Sequence, residues 1–266
     1  MINIQKMIEQ ANQNGYQGDN ASAKVCQDIV LKALATGPLS RNVTIKGGVV
    51  MRSKTNNVRR ATQDLDIDFI KYSLADESIN IFVKKLNCLD GISITTLGKI
   101  EELKQQDYSG KRVFILIKDT EGNQIRSKID LGVHNRFELE QEEYCFDIAY
   151  DDEGASLLIN SDEQMFAEKL RSLLKFGPLS TRFKDVYDMY YLKDTVEMTK
   201  LLAALDTYIF HDDSMREKEG KDIVKRLKFA FSDKTYIRSL DKSDKRWIDG
   251  EIDVITEGLL EFVSKI

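Results

Sequence analysis

Apolar and polar residues along this 266-residue chain follow two different periods. Residues 65–70 (LDIDFI) alternate strictly, the period of a strand with one buried face. Residues 43–46 (VTIK) read as a short strand running into Gly47-Gly48. Branched residues dominate 92–98 (ISITTLG), 112–118 (RVFILIK) and 124–133 (QIRSKIDLGV), which predicts three more strands. The stretch from Asp119 to Asn123 between the last two predicts a hairpin loop. Helical spacing runs through Val25, Ile29, Leu31 and Leu34 to a stop at Gly37-Pro38, and again through Ile79, Phe82, Val83 and Leu86. After about residue 160 the period changes. Residues 162–175, 183–193, 196–210, 221–231 and 244–264 are helically periodic with almost no strand signal. The pattern predicts an α/β domain over residues 1–160 and an all-helical domain over 161–266.

Composition narrows the chemistry. With 39 basic and 44 acidic residues, a net charge of −5, 42% hydrophobic and 31% charged residues, the chain reads as an ordinary soluble globular protein. No apolar run approaches the ~18–20 residues of a membrane span, and the first residues show no signal peptide. Cys26, Cys88 and Cys145 lie far apart and odd in number, so neither a disulfide framework nor a CxxC knuckle is expected. The expected address is the cytoplasm, with no membrane partner. Only two histidines occur, His134 and His211, which excludes a His-rich zinc site and the HExxH motif. No GxSxG elbow accompanies either as part of a Ser-His-Asp triad. The mild acidity argues against a surface coated in basic charge for nucleic acid and leaves room for a local basic patch.

The sharpest local feature is Asp64-Leu65-Asp66-Ile67-Asp68-Phe69. In a strand its three carboxylates share one face, where they repel each other unless a cation sits among them. Two readings are open on this strand alone: a solvated edge strand whose acids discourage aggregation, or a divalent-metal site. Asp130, inside the apolar run Ile129-Asp130-Leu131, tips the balance, since a carboxylate there needs a partner that a shared metal would supply. Upstream, Lys46-Gly47-Gly48 follows one strand and precedes a helix-compatible stretch. Paired glycines let backbone N–H groups approach a phosphate. A phosphate cradle followed by a two-aspartate strand suits nucleotidyl transfer.

These residues resemble a known family. Ile45-Lys46-Gly47-Gly48 followed by Arg59-Arg60-Ala61-Thr62-Gln63-Asp64-Leu65-Asp66 is similar to the first motif of the AbiEii/AbiGii-type nucleotidyltransferase toxins. These are type IV toxin–antitoxin proteins of the polymerase-β-like superfamily. Ala167-Glu168-Lys169-Leu170-Arg171 and Arg182-Phe183-Lys184-Asp185-Val186-Tyr187-Asp188 resemble that family's AEKL and R-x-K-D-x-x-D motifs. The resemblance spans roughly residues 43–193; beyond 195 no motif is placed.

The resemblance implies a polymerase-β-like domain with a mixed sheet, followed by a helical domain that adds Lys169, Asp185 and Asp188 to the site. Asp64, Asp66 and Asp130 would bind Mg2+, or Mn2+ in its place. Gly47, Gly48, Arg60, Thr62, Lys169 and Arg182 would contact the nucleotide. Lys169 would neutralise charge on the triphosphate, and Asp185 and Asp188 would orient Lys169 or the acceptor. Asp68 has no clear family role and reads as the exposed end of its strand. The implied activity is transfer of a nucleoside monophosphate from NTP to a macromolecule, with loss of pyrophosphate. The tRNA 3′ end is the favoured acceptor and a protein hydroxyl the other, in a toxin–antitoxin or abortive-infection system with a cognate antitoxin.

Bland readings stand beside these. Lys169 could lie on a solvated helix face, and Arg182, Asp185 and Asp188 could form a plain salt-bridge ladder. Arg52, Lys54, Arg59 and Arg60 around the first motif, with Lys169, Arg171, Lys175, Arg182 and Lys184 around the second, would make a positive rim. Basic residues from Arg216 to Lys228 read rather as a solvated helix with internal ion pairs. Tyr16, Tyr187, Tyr190, Tyr191 and Trp247 could stack on bases, though aromatic residues at helical spacing more often fill a core. Two other functions are kept in view: a non-catalytic nucleotide- or partner-binding module of the same fold, and a two-metal nuclease. The intact motif residues speak against the first, and the Gly47-Gly48 turn, which a nuclease has no triphosphate to fill, against the second.

Overall fold

A computed structural model describes residues 2–103, 110–135 and 139–266. The chain divides into two compact units, Met1–Asn160 and Ser161–Ile266. In the first, the described residues form a seven-stranded mixed sheet: β1 (Val43–Lys46), β2 (Leu65–Phe69), β3 (Ile92–Leu103), β4 (Gly110–Asp119), β5 (Gln124–Val133), β6 (Glu142–Ile148) and β7 (Asp151–Ile159). Their order is β3-β4-β5-β2-β1-β7-β6. Strand β2 runs antiparallel to β1 and parallel to β5, and β1 runs parallel to β7. The aspartate strand therefore lies in the middle of the sheet, paired on both sides. This corrects the edge-strand reading.

The period of two decides which side chains are buried. Leu65, Ile67 and Phe69 are buried together with their register partners Ile45, Ile129 and Leu131. Each such side chain contributes about 1.5–3 kcal/mol when fully removed from water. Among the described residues this unit has four α-helices: α1 (Ile4–Gln13), α2 (Asp19–Thr36), α3 (Gly48–Thr55) and α4 (Asp76–Lys85). Asn3 caps α1 by accepting from the Lys6 N–H at 2.8 Å. Helix α2 packs against β5, β6 and β7, and Phe82 of α4 meets Phe69 edge-on, ring centroids 5.0 Å apart. The opposite face of β2 is left to its aspartates.

In the second unit every described regular element is a helix: α5 (Asp162–Phe176), α6 (Phe183–Leu192), α7 (Met198–Leu205), α8 (Gly220–Ser232), α9 (Lys234–Asp241) and α10 (Ile252–Val263). A short 3-10 turn, Gly177–Leu179, follows α5, and a π-helical turn, Asp206–Phe210, follows α7. Ser161 caps α5 by accepting from the Gln164 N–H, and α5 packs against α6, α7 and α8. The core holds Phe166, Leu170, Val186, Tyr187, Leu201 and Leu259. Periodicity missed α9 and the β6–β7 hairpin, and ran the last helix too early. Residues before Ile252 instead form an irregular segment in which Arg246 donates to the Ile248 carbonyl. No helix among the described residues is long and apolar enough to cross a membrane.

Candidate active site

The face of β2 that carries carboxylates is built by register. Asp66 lies directly opposite Asp130 in the parallel β2–β5 pair and opposite Lys46 in the antiparallel β1–β2 pair. Asp130 in turn faces Arg112 across β4–β5. Paired residues share a face, so Lys46, Asp66, Asp130 and Arg112 line up across four adjacent strands.

Each flanking aspartate has a cation from a neighbouring strand. Arg112 grips Asp130 with both arms, Nε to Oδ1 at 2.7 Å and Nη2 to Oδ2 at 2.8 Å. Hydrogen bonding to Asp130 raises the pKa of that guanidinium further, outweighing the opposing effect of burial. Lys128 Nζ is 2.8 Å from Asp64 Oδ1. Lys46 Nζ is 2.8 Å from Asp68 Oδ2. Asp68 is buried, and its Oδ1 has no hydrogen-bond partner among the described residues. It is not the exposed strand end expected from the sequence. The pattern of neighbouring strands, invisible to local periodicity, brings Lys46 to it.

The Gly47-Gly48 turn is seated on this face. Gly47 has φ +68°, a backbone state that favours glycine, and a Cβ there would lie 2.5 Å from Asp66 Oδ2. A Cβ on Gly48 would lie 2.7 Å from Thr62 Oγ1. The turn therefore rests with its bare backbone against the Asp66 carboxylate and the Thr62 hydroxyl, and α3 starts at its second glycine, Gly48. Thr62 is held in turn by its carbonyl, which accepts from Gln27 Nε2 at 2.9 Å. Carboxylate and hydroxyl oxygens are the ligand type Mg2+ prefers, and the Asp68 oxygen without a hydrogen-bond partner among the described residues adds one more. Among the described residues, however, no three His, Cys, Asp or Glu side chains converge on one point. Asp64 and Asp130 are turned toward Lys128 and Arg112.

The expected basic rim is thinner than the sequence suggested. Arg52 and Arg60 are buried, Lys54 lies 3.7 Å from Glu142, and Arg59 is exposed. Arg60 sits in the 3-10 turn Val58–Arg60 that leads toward β2.

The second unit gathers the other motif residues. Lys169 on α5 is buried, with Nζ 3.1 Å from Asp185 and 2.8 Å from Asp188 on α6. The two aspartates are three positions apart and share one helix face. Arg182 Nε is 3.6 Å from Asp185 and Arg182 Nη1 reaches Ser172 Oγ at 3.4 Å. Lys169 is thus no surface lysine. Asp188 has no exposed surface, and its Oδ1 accepts from the Trp247 indole N–H at 3.0 Å.

Trp247 is the residue that sequence reasoning missed in this role. It and Tyr187 are core groups here, not base-stacking platforms: Trp247 is buried, and the Tyr187 hydroxyl donates to the Leu240 carbonyl at 2.8 Å. Arg171, from the same AEKL segment, pairs instead with Asp212 at 2.8 Å.

Comparison with known proteins adds to this geometry. No curated protein sequence matches the chain. Among the solved structures it matches is the solution structure of the antibiotic-resistance factor ANT(2'')-Ia, 15% identical over 72% of this chain and 92% of that one, with a TM-score of 0.43. That likeness is too slight to carry an argument. A family profile described as "Nucleotidyl transferase AbiEii toxin, Type IV TA system" matches residues 29–247. The match takes in the turn, the aspartate strand and the Lys169 cluster, and ends at Trp247. The chain belongs to the AbiEii nucleotidyltransferase family, the toxins of type IV toxin–antitoxin systems.

Proposed function

We propose that this nucleotidyltransferase transfers a nucleoside monophosphate from NTP to an RNA hydroxyl, the 3′ end of tRNA being the favoured acceptor. The acceptor oxygen forms a bond to the α-phosphorus, the bond from that phosphorus to the β-phosphate bridging oxygen breaks, and pyrophosphate leaves. The hydroxyl proton passes to a carboxylate of the aspartate face. The observation that carries this reading is the Gly47-Gly48 turn lying bare against Asp66 and Thr62. It puts backbone N–H groups suited to phosphate beside carboxylates suited to a divalent ion.

Asp64, Asp66 and Asp130 would hold Mg2+. When bound, the ion withdraws charge from the reacting phosphate and makes the acceptor hydroxyl more acidic. Arg112 and Lys128 hold Asp130 and Asp64 in orientation until then. Arg60 and Thr62 serve the nucleotide, and Lys169, with Arg182, neutralises charge on the triphosphate. Asp185 and Asp188 together fix the Lys169 ammonium. Both sets of residues are required for transfer. The protein acts in the cytoplasm, and a cognate antitoxin opposes it.

Incubation of purified protein with labelled NTPs, Mg2+ and total tRNA tests the proposal. Wild type should label tRNA, and Asp66→Ala should not. No transfer by wild type, or Asp64→Ala indistinguishable from it, would overturn the reading, as would shortened rather than extended RNA.

A further inference from the structure

The second unit exposes an apolar patch that its own core does not use. Where α5 ends, Phe176 is 49% and Leu179 85% exposed, and on α8 Phe229 is 57% exposed. Large apolar side chains are seldom left in water together without a partner. Arg226 joins the three into one surface. Its Nε donates to the Leu174 carbonyl at 3.0 Å, and its Nη2 would lie 2.8 Å from a Cβ on Gly177. Its guanidinium also lies 5.4 Å from the centre of the Phe229 ring. The Phe176–Leu179 turn and Phe229 therefore flank a single arginine.

Charge selects the occupant. Between Glu168 and Asp185 the chain has five basic residues and no acidic one, and between Asp222 and Asp233 three basic and no acidic. Lys169, Arg171 and Arg182 of the first group are committed to ion pairs inside the unit. The others border the patch in sequence without a carboxylate among them. A cation already stacked on an aromatic ring, with further rings and lysines beside it, is the combination that binds single-stranded nucleic acid: bases stack on the rings and phosphates meet the cations.

We propose that this patch docks single-stranded RNA, with bases on Phe176 and Phe229, Leu179 against a base face, and Arg226 and Lys225 at the backbone. It rests on the reading of RNA as acceptor and names the surface that recruits it.

The test uses the full chain and a fluorescein-labelled single-stranded RNA oligonucleotide, followed by anisotropy, with label transfer to total tRNA measured in parallel. Phe229→Ala and Leu179→Ser change exposed positions, and unfolding curves matching wild type establish that each folds. Phe229→Ala should weaken RNA binding by roughly 5- to 150-fold, the range for loss of one stacking ring. It should raise KM for tRNA and leave kcat at saturating tRNA in place. Lys225→Gln, one helical turn before Phe229, should flatten the slope of log affinity against log salt by about 0.7.

Wild type labelling tRNA while every variant keeps its affinity, salt slope and KM would overturn the patch alone. Wild type that neither binds nor labels RNA would overturn the acceptor reading and this inference together. If the variants bind RNA unchanged while Leu179→Ser abolishes self-association seen by sedimentation, the patch is a protein contact and the inference is wrong.

Discussion

Replacing Asp188 by Asn isolates the charge at the centre of the second unit while keeping its volume. Lys169 Nζ is held 2.8 Å from Asp188 and 3.1 Å from Asp185, and the Lys169 side chain is only 10% exposed. Removing one partner of a buried pair costs about 3–5 kcal/mol, because the surviving charge cannot return to water. Asp185 remains at hand, which places Asp188→Asn at about 3 kcal/mol, the lower end. The Trp247 N–H can still donate to the amide oxygen, so that hydrogen bond weakens without being lost. For a chain of this length the loss corresponds to a fall in Tm of about 6–12 °C. Lys169→Met together with Asp188→Asn strands no charge against Asp188, so the double variant should cost less than the sum of the singles by roughly 1–3 kcal/mol. Trp247 is the only tryptophan in the chain and touches Asp188, so its fluorescence in a urea titration reports on this site directly. Asp188→Asn within about 1 kcal/mol of wild type, with an additive cycle, would refute the claim that the pair is buried and coupled.

Three further outcomes follow from particular contacts. Gly47→Ala places a Cβ 2.5 Å from Asp66 Oδ2 on a backbone with φ +68°. Transfer should fall on the order of 100-fold while the backbone strain costs only about 1–2 kcal/mol of stability, and unchanged turnover would count against the turn as part of the site. Burial opposes ionisation of Asp212, yet hydrogen bonds from Ser214 and Arg171 outweigh it and hold the carboxyl at about 2. A depressed pKa gives stability that is full above the ordinary carboxylate range and lost as pH falls toward 2, on the order of 1 kcal/mol after solvent screening. Urea midpoints of Asp212→Asn and wild type should therefore differ at pH 7 and converge at pH 2. Burial also pushes the Cys26 thiol up to about 12, against a smaller opposing effect of Ser127. Iodoacetamide at pH 8 should then modify exposed Cys88 and Cys145 and spare Cys26 until urea is added, as mass spectrometry of peptides would reveal.

The alternation of 65–70 disclosed which side chains of β2 share a face, because that depends only on the local pleat. It did not disclose where β2 lies in the sheet. The β2–β5 pairing joins residues about sixty positions apart, and only that pairing puts Asp66 beside Asp130. The cations were hidden for the same reason: nothing local marks Lys46, Lys128 and Arg112 as the partners of Asp68, Asp64 and Asp130, beside which only the register sets them. The reverse error occurred at Arg52 and Arg60, which look like a surface rim in sequence and are buried in the structure. In the second unit the i,i+3 spacing of Asp185 and Asp188 was legible, whereas Trp247 reaches Asp188 from 59 positions away. The β6–β7 hairpin escaped because acidic residues interrupt it, leaving Phe146, Ile148, Ala155, Leu157 and Ile159 as its buried positions.

Register is also what gives the paired glycines their meaning. A slip of one residue between β1 and β2 would turn Asp66 into the core and Ile67 out to the polar face. Four pairings hold β1 to β2, from Val43 with Phe69 to Lys46 with Asp66. The Lys46–Asp68 ion pair ties the end of β1 to a second point on β2. Directly beyond it, Gly47 leaves room for one group, and that group is the Asp66 carboxylate. A side chain at Gly47 would have to displace Asp66, and a shift of Asp66 would break its alignment with Asp130. The glycine thus does two things at once. Its bare backbone leaves the Asp66 carboxylate its place, and that place keeps Asp66 in line with Asp130.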